Sequence, residues 1–105
     1  LDIPEPPAIA ATPAELANGK AKYASTCMVC HGPLVISGGV VPDLRRLPAA
    51  KHAIFKQIVF DGIIHGAGMP RMGDLVNEQD VHDIQAYIAE RAAQDRAAAT
   101  AATKQ

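Results

Sequence analysis

The sequence predicts an all-α domain of three main helices joined by long loops. Three observations predict it. Three stretches carry apolar residues at helical spacing behind recognisable caps. Strand signals are weak, since only Leu34–Ile36 and Val40–Val41 resemble strand pieces and each is too short to found a sheet. The intervening segments, 32–48 and 62–76, are rich in Gly and Pro.

The first helix is expected to start near Thr12. Thr12 can cap it, Pro13 suits the first helical position, and Glu15 completes a capping box. Leu16, Gly19 and Tyr23 then fall on one face that runs into Cys27. Gly19 inside a helix costs about 1 kcal/mol against Ala, a cost that makes sense where another helix approaches closely. The second helix is expected from Pro48 to Asp61, with Ile54, Phe55, Ile58 and Val59 on its apolar side and Gly62 as its stop. The third is expected from Asn77 to Ala93. Asn77 caps it, Glu78 and Asp80 complement its dipole, and Val81, Ile84, Ile88 and Ala92 recur at helical spacing beside Tyr87.

Outside this unit, 12–94, the ends read differently. Residues 1–11 hold Pro4, Pro6 and Pro7 among small residues, the composition of an extended or polyproline-like linker. Residues 95–105 form an Ala-rich tail with no apolar face, able to prolong a helix or to fray. A start at Leu1, with no signal peptide, is expected of a mature product or of a piece excised from a longer chain.

The chain has 105 residues, enough for one domain with a modest core. It holds no Trp, two Phe and two Tyr, so the side chains that usually fill a small core are scarce. Long loops in so small a domain make sense when they wrap a bulky apolar group. A net charge of −1 excludes a strong basic field for nucleic acid. No stretch is long and apolar enough to span a bilayer.

The two cysteines stand in Cys27-Met28-Val29-Cys30-His31, the pattern of c-type haem attachment. Two thiols at this spacing reach the two vinyl groups along one haem edge, and the next residue, His31, lies under the iron. A disulfide over so small a loop would stabilise little. A redox dithiol would open a helix after a strand, whereas this motif ends a helix and no sheet is expected. A zinc site would need paired histidine ligands, and histidines 31, 52, 65 and 82 show no such spacing.

The sixth iron ligand is expected from the distant loop. Met69, in Gly68-Met69-Pro70, is favoured over Met72, and His65 would give a bis-histidine haem. A thioether opposite His stabilises ferrous iron and raises the potential, as suits an electron carrier. The backbone carbonyl of Pro42 is the candidate to receive the other N–H of His31. Arg45 or Arg46 is the candidate to pair with a haem propionate. His52 and His82 are expected on solvated helix surfaces, and the acidic cluster of 74–83 is expected to serve the helix dipole.

The motifs together resemble the class I cytochromes c over residues 14–93. Gly19 and Tyr23 precede the Cys-x-x-Cys-His segment, and Pro42-Asp43-Leu44, Gly68-Met69-Pro70 and Ile84-Gln85-Ala86-Tyr87-Ile88 follow. The resemblance implies that the first and last helices cross with Gly19 against Tyr87, that His31 and Met69 are the axial ligands, and that the Pro42 carbonyl holds His31. Ser37-Gly38-Gly39-Val40-Val41-Pro42-Asp43-Leu44-Arg45 and Ile58-Val59-Phe60-Asp61-Gly62 look like the C-terminal cytochrome domain of quinohaemoprotein alcohol dehydrogenases. Those enzymes oxidise alcohols with pyrroloquinoline quinone in a β-propeller, which this chain lacks.

The functional expectation is one-electron transfer through one covalent haem c, in a chain that is not itself an enzyme. The resemblance implies a periplasmic setting. A dehydrogenase domain or subunit that uses pyrroloquinoline quinone would be the donor, and another cytochrome, a copper protein or an oxidase the acceptor. The alternative is peroxidase-like catalysis at an open or His65-ligated distal site. A haem-based sensor or interaction module is a third reading, which no signalling domain in the sequence supports.

Overall fold

In a computed structural model, residues 3–27, 31–36, 43–62 and 76–103 are described. They form four α-helices: α1 (Pro13–Thr26), α2 (Ala49–Ala53), α3 (Phe55–Val59) and α4 (Glu78–Thr103). Two 3₁₀ turns, Pro33–Val35 and Leu44–Arg46, lie between α1 and α2. No strand occurs among the described residues, and Leu34–Ile36, read from sequence as a strand piece, lies largely in the first of these turns.

Both long helices begin as the sequence dictates. The Glu15 amide donates to Thr12 Oγ1 at 3.1 Å and the Thr12 amide donates to Glu15 Oε1 at 2.8 Å, with Pro13 in the first turn. At α4 the same reciprocal device uses a shorter acid. The Asp80 amide donates to Asn77 Oδ1 at 2.8 Å and the Asn77 amide to Asp80 Oδ2 at 3.1 Å.

Contact between α1 and α4 is the most extensive in the fold. It is closest at Gly19, where a Cβ would lie 1.9 Å from the Asp83 carbonyl oxygen and 2.5 Å from its carbon. Neighbouring Asn18 spreads its amide across two carboxylates, at 3.0 Å from Asp80 Oδ1 and 2.7 Å from Asp83 Oδ2. One turn further along both helices, the Tyr23 and Tyr87 rings pack 5.5 Å apart at 54°. The expected meeting of Gly19 with Tyr87 is therefore displaced by one turn. Gly19 receives the backbone at Asp83, and Tyr87 receives the Tyr23 ring, because both helices step forward together from the contact. Tyr23, Ile84 and Ile88 are each 1% exposed at the centre of the core, which Phe55, Val59 and Val76 complete.

The expected single helix from Pro48 to Asp61 is two short helices, broken at Ile54 (φ −114°, ψ 21°). The break has a tertiary cause. Gln85 of α4 donates to the His52 carbonyl at 2.9 Å and so draws that acceptor out of the helical ladder. Its Nε2 also lies 3.0 Å from His52 Nδ1. His52 is thus not solvated as expected. It is 7% exposed, stacked on Phe55 at 6.4 Å, and burial lowers its pKa. Gly62, the expected stop, takes φ 72°.

At the other end α4 continues ten residues past the expected Ala93, through an Ala-rich run of high helix propensity, to Thr103. Asp95 helps to anchor it, pairing with Arg91 at 2.9 Å and with Arg45 at 2.9 Å.

Residues 3–12 have no helix or strand, in keeping with a linker-like composition, yet they are docked. Ile3 is buried, and the Ala10 carbonyl lies 3.0 Å from His82 Nε2. His82 Nδ1 lies 2.8 Å from Asp83 Oδ1 and 3.8 Å from Glu15 Oε2. Both ring nitrogens face acceptors, and only the imidazolium can donate to both. Its pKa is accordingly raised, first by the bond to Asp83 and also by the Ala10 carbonyl and the charge of Glu15. Burial pushes Asp83 up, but bonds from His82, Asn18 and Gln79 bring its carboxyl below the ordinary value.

Two outcomes follow from these contacts. Gly19→Ala is expected to cost about 3 kcal/mol or more, because the clash is with backbone that cannot rotate away; chemical unfolding of the variant checks this. A raised histidine pKa stabilises the fold below the unfolded value of 6.5, and that contribution is lost as pH rises through the higher folded value. Protection of the amides in residues 3–11, after correction for the intrinsic pH dependence of exchange, should therefore fall over that window in the native chain and stay level across it in His82→Gln.

Candidate functional site

Cys27 caps the C-terminus of α1, its amide donating to the Tyr23 carbonyl at 2.8 Å. The His31 amide in turn donates to the Cys27 carbonyl at 2.9 Å, with the i+4 to i spacing of a helical turn. Residues four apart in such a turn stack on one side. Cys27 is buried and His31 half-buried. Cys27 Sγ lies 3.4 Å from Thr26 Oγ1, whose hydroxyl donates back to the Lys22 carbonyl at 2.6 Å.

The chain then leaves His31 through a left-handed backbone, with Gly32 at φ 88°, Leu34 at φ 55° and Val35 at φ 63°. Glycine adopts this freely, but for Leu34 and Val35 it costs roughly 1–2 kcal/mol each, and a β-branched residue is the worst case. Local preference does not explain the turn, and tertiary contacts do. The buried Tyr23 hydroxyl donates to the Gly32 carbonyl at 2.7 Å. Arg91 Nε of α4 donates to the Leu34 carbonyl at 3.2 Å. Val35 is completely buried in the core cluster. Burial raises the Tyr23 pKa, with the charges of Cys27, Tyr87 and Asp43 adding to it, so the phenol stays a donor at any ordinary pH. Leu34 and Ile36, at 51% and 45% exposed, present apolar side chains on the surface beside this turn.

Arg45, the expected partner of a propionate, lies 9% exposed between two carboxylates. Its Nε and Nη2 donate to Asp43 at 3.0 and 2.6 Å, and Nη1 donates to Asp95 at 2.9 Å. The bond to Asp43 leads in raising its pKa, and the same bond leads in lowering that of Asp43. Asp43 also caps the second 3₁₀ turn by accepting from the Arg45 amide at 3.0 Å. Arg45 thus ties the segment after the Cys-x-x-Cys-His motif to α4. The other expected site residues, Cys30, Pro42, Met69, Met72 and His65, lie outside the described residues.

The donor set fits a haem. A buried thiol and an imidazole one turn apart can serve one face and one edge of a planar metal complex, and apolar side chains stand beside them. The comparisons with known proteins agree. The family model described as "Cytochrome C oxidase, cbb3-type, subunit III" matches residues 14–88. The chain belongs to this cytochrome c family.

Relatives of this cytochrome include quinohemoprotein alcohol dehydrogenase ADH IIB of Pseudomonas putida, 38% identical over 89% of the chain, and ADH-IIG of the same organism, 40% identical over 87%. Cytochrome c550 of Pseudomonas aeruginosa is 32% identical over 67% of the chain. The solved structure of ADHIIG from P. putida HK5 superposes with a TM-score of 0.80 at 39% identity over 89% of the chain. The cytochrome spans 13% and 12% of the two dehydrogenases, 14% of the solved chain and 51% of cytochrome c550. Like its family it is an electron-transfer unit that carries covalent haem c. No described helix is long and apolar enough to cross a membrane.

The sequence reading missed the groups that hold the His31 turn. Tyr23, expected on the face that runs into Cys27, stands one turn before it and its hydroxyl reaches the Gly32 carbonyl. Arg91 and Asp95 form a visible i,i+4 pair, but their reach to Leu34 and Arg45 spans tens of residues and leaves no mark in local pattern.

Proposed function

We propose that this cytochrome holds its haem through Cys27 and Cys30, binds the iron through His31, and supplies Met69 as the opposite ligand. The observation that carries the reading is the bond from the His31 amide to the carbonyl of buried Cys27, inside the segment that the family model matches. In attachment each S–H adds across one vinyl group, so a C–S bond forms, the hydrogen goes to the neighbouring carbon, and nothing is oxidised. The bound haem supplies a ferric–ferrous couple. The chain's own residues set how it works. The carbonyl of Pro42 accepts the second N–H of His31 and fixes the ring. Arg45 retains N–H groups beyond those given to Asp43 and Asp95, and one of them serves a propionate. Met69, a thioether donor, biases the couple towards the reduced state.

The donor is a dehydrogenase domain or subunit that uses pyrroloquinoline quinone. Its reduced quinone cofactor gives up one electron at a time, and the acceptor is a respiratory cytochrome, copper protein or oxidase in the periplasm. Similarity to quinohemoprotein alcohol dehydrogenases over 87–89% of the chain supports this pairing. So does 35% identity over 72% of the chain to 1-butanol dehydrogenase (cytochrome c) of Thauera butanivorans.

Protein matured in a host competent for c-type haem attachment should be coloured and heavier than the polypeptide by one haem. Replacing Cys27 and Cys30 with Ala should abolish the added mass and leave a chain that unfolds without cooperativity, since the core is small. A colourless native product of bare polypeptide mass would overturn the reading. Met69→Ala should lower the midpoint potential sharply and remove the methionine-to-iron charge-transfer band, while Met72→Ala changes little; the opposite pattern would move the ligand to Met72.

A further inference from the structure

We propose that the Tyr23 hydroxyl is a positioning residue for electron transfer, clamping the turn after His31 so that the imidazole is held at the iron. The inference rests on His31 being the ligand, as proposed above, and adds how its position is set. Gly32 is the residue directly after His31, so a bond to its carbonyl fixes the Gly32–Pro33 peptide, the next unit of chain beyond the residue that carries the imidazole. That bond is 2.7 Å long and comes from a side chain 1% exposed. Tyr23 is itself immobilised, with its ring against Tyr87 and its backbone one helical turn before Cys27. The clamp is needed because Leu34 and Val35 occupy the left-handed region, which they would leave if released. A second tie, from Arg91 Nε to the Leu34 carbonyl at 3.2 Å, secures the far side, and Arg91 is braced by Asp95 at 2.9 and 3.0 Å. The His31 turn is thus gripped from α1 by Tyr23 and from α4 by Arg91.

Such a role differs from packing. A ring without its hydroxyl keeps the aromatic contact and loses the clamp. The test compares holoprotein of the native sequence with Tyr23→Phe and Tyr87→Phe, reading amide exchange at Gly32, Leu34 and Val35, the ferric electron paramagnetic resonance signal and the midpoint potential. Tyr23→Phe is expected to speed exchange at these amides roughly tenfold, the worth of one buried hydrogen bond, and to displace the g-values and the potential. Tyr87→Phe, altering the other ring of the pair, is expected to leave all three in place.

Unchanged exchange and g-values in Tyr23→Phe would overturn the proposal, as would equal changes in both variants. Should Tyr23→Phe fail to mature, 3-fluorotyrosine incorporated in the Tyr87→Phe background labels Tyr23 alone, since the chain has two tyrosines. The stronger phenol donor should slow exchange and shift the g-values, and no response would sink the clamp. The exchange measurement does not depend on iron ligation. A native protein without histidine-ligated haem but with a Tyr23-dependent turn would overturn the ligand assignment and leave the clamp standing.

Discussion

The rest of the structure depends on how closely α1 can approach α4. At Gly19 there is no room for a side chain, and the Asp83 carbonyl occupies the space a Cβ would take. This one contact sets the register of everything that follows on both helices. It brings Asn18 to Asp80 and Asp83, and Tyr23 to Tyr87. Because Cys27 lies one turn beyond Tyr23, the same contact decides where the thiol and His31 emerge from the helix pair. A small core with four aromatic residues of the Phe and Tyr type has few other means of fixing so much geometry.

From that frame the fold builds outward through polar ties rather than through further apolar area. Gln85 seizes the His52 carbonyl and breaks the middle helix, which lets Phe55 and Val59 turn into the core. Arg45 joins Asp43 to Asp95, and Arg91 joins Asp95 to the Leu34 carbonyl. These charged groups are largely buried, and their carboxylate partners and hydrogen bonds offset the desolvation that isolated charges would suffer. Among the described residues no fully buried side-chain nitrogen or oxygen lacks a hydrogen-bond partner. These ties hold the turn after His31 from both long helices.

Elements governed by neighbours in sequence were legible from the sequence. The Thr12–Glu15 box, the Asn77 cap, the Pro13 start and the all-helical class follow from local hydrogen-bonding and periodicity. The family was legible too, since the Cys-x-x-Cys-His spacing is itself the signal. What went astray did so through contacts distant in the chain. His52 has the polarity of a surface residue and lies buried because Gln85, 33 residues away, receives it. Leu34–Ile36 has strand composition, but Tyr23 and Arg91 bend its neighbourhood into a left-handed turn. The Gly19 crossing was read correctly as a close approach, but the resemblance set it against Tyr87, whereas the backbone at Asp83, one turn earlier, is what lies nearest to it.

The sequence by itself determined the helical class, the caps, the haem-attachment motif and the family, because each is written within one or two helical turns. The tertiary structure alone decided the register of α1 on α4, the break at Ile54, the burial of His52 and the clamp on the His31 turn. Those depend on which groups meet outside the local hydrogen-bonding pattern, from the 9 residues between Tyr23 and Gly32 to the 57 between Leu34 and Arg91, where a backbone carbonyl or a charged side chain takes whatever partner the packing brings to it.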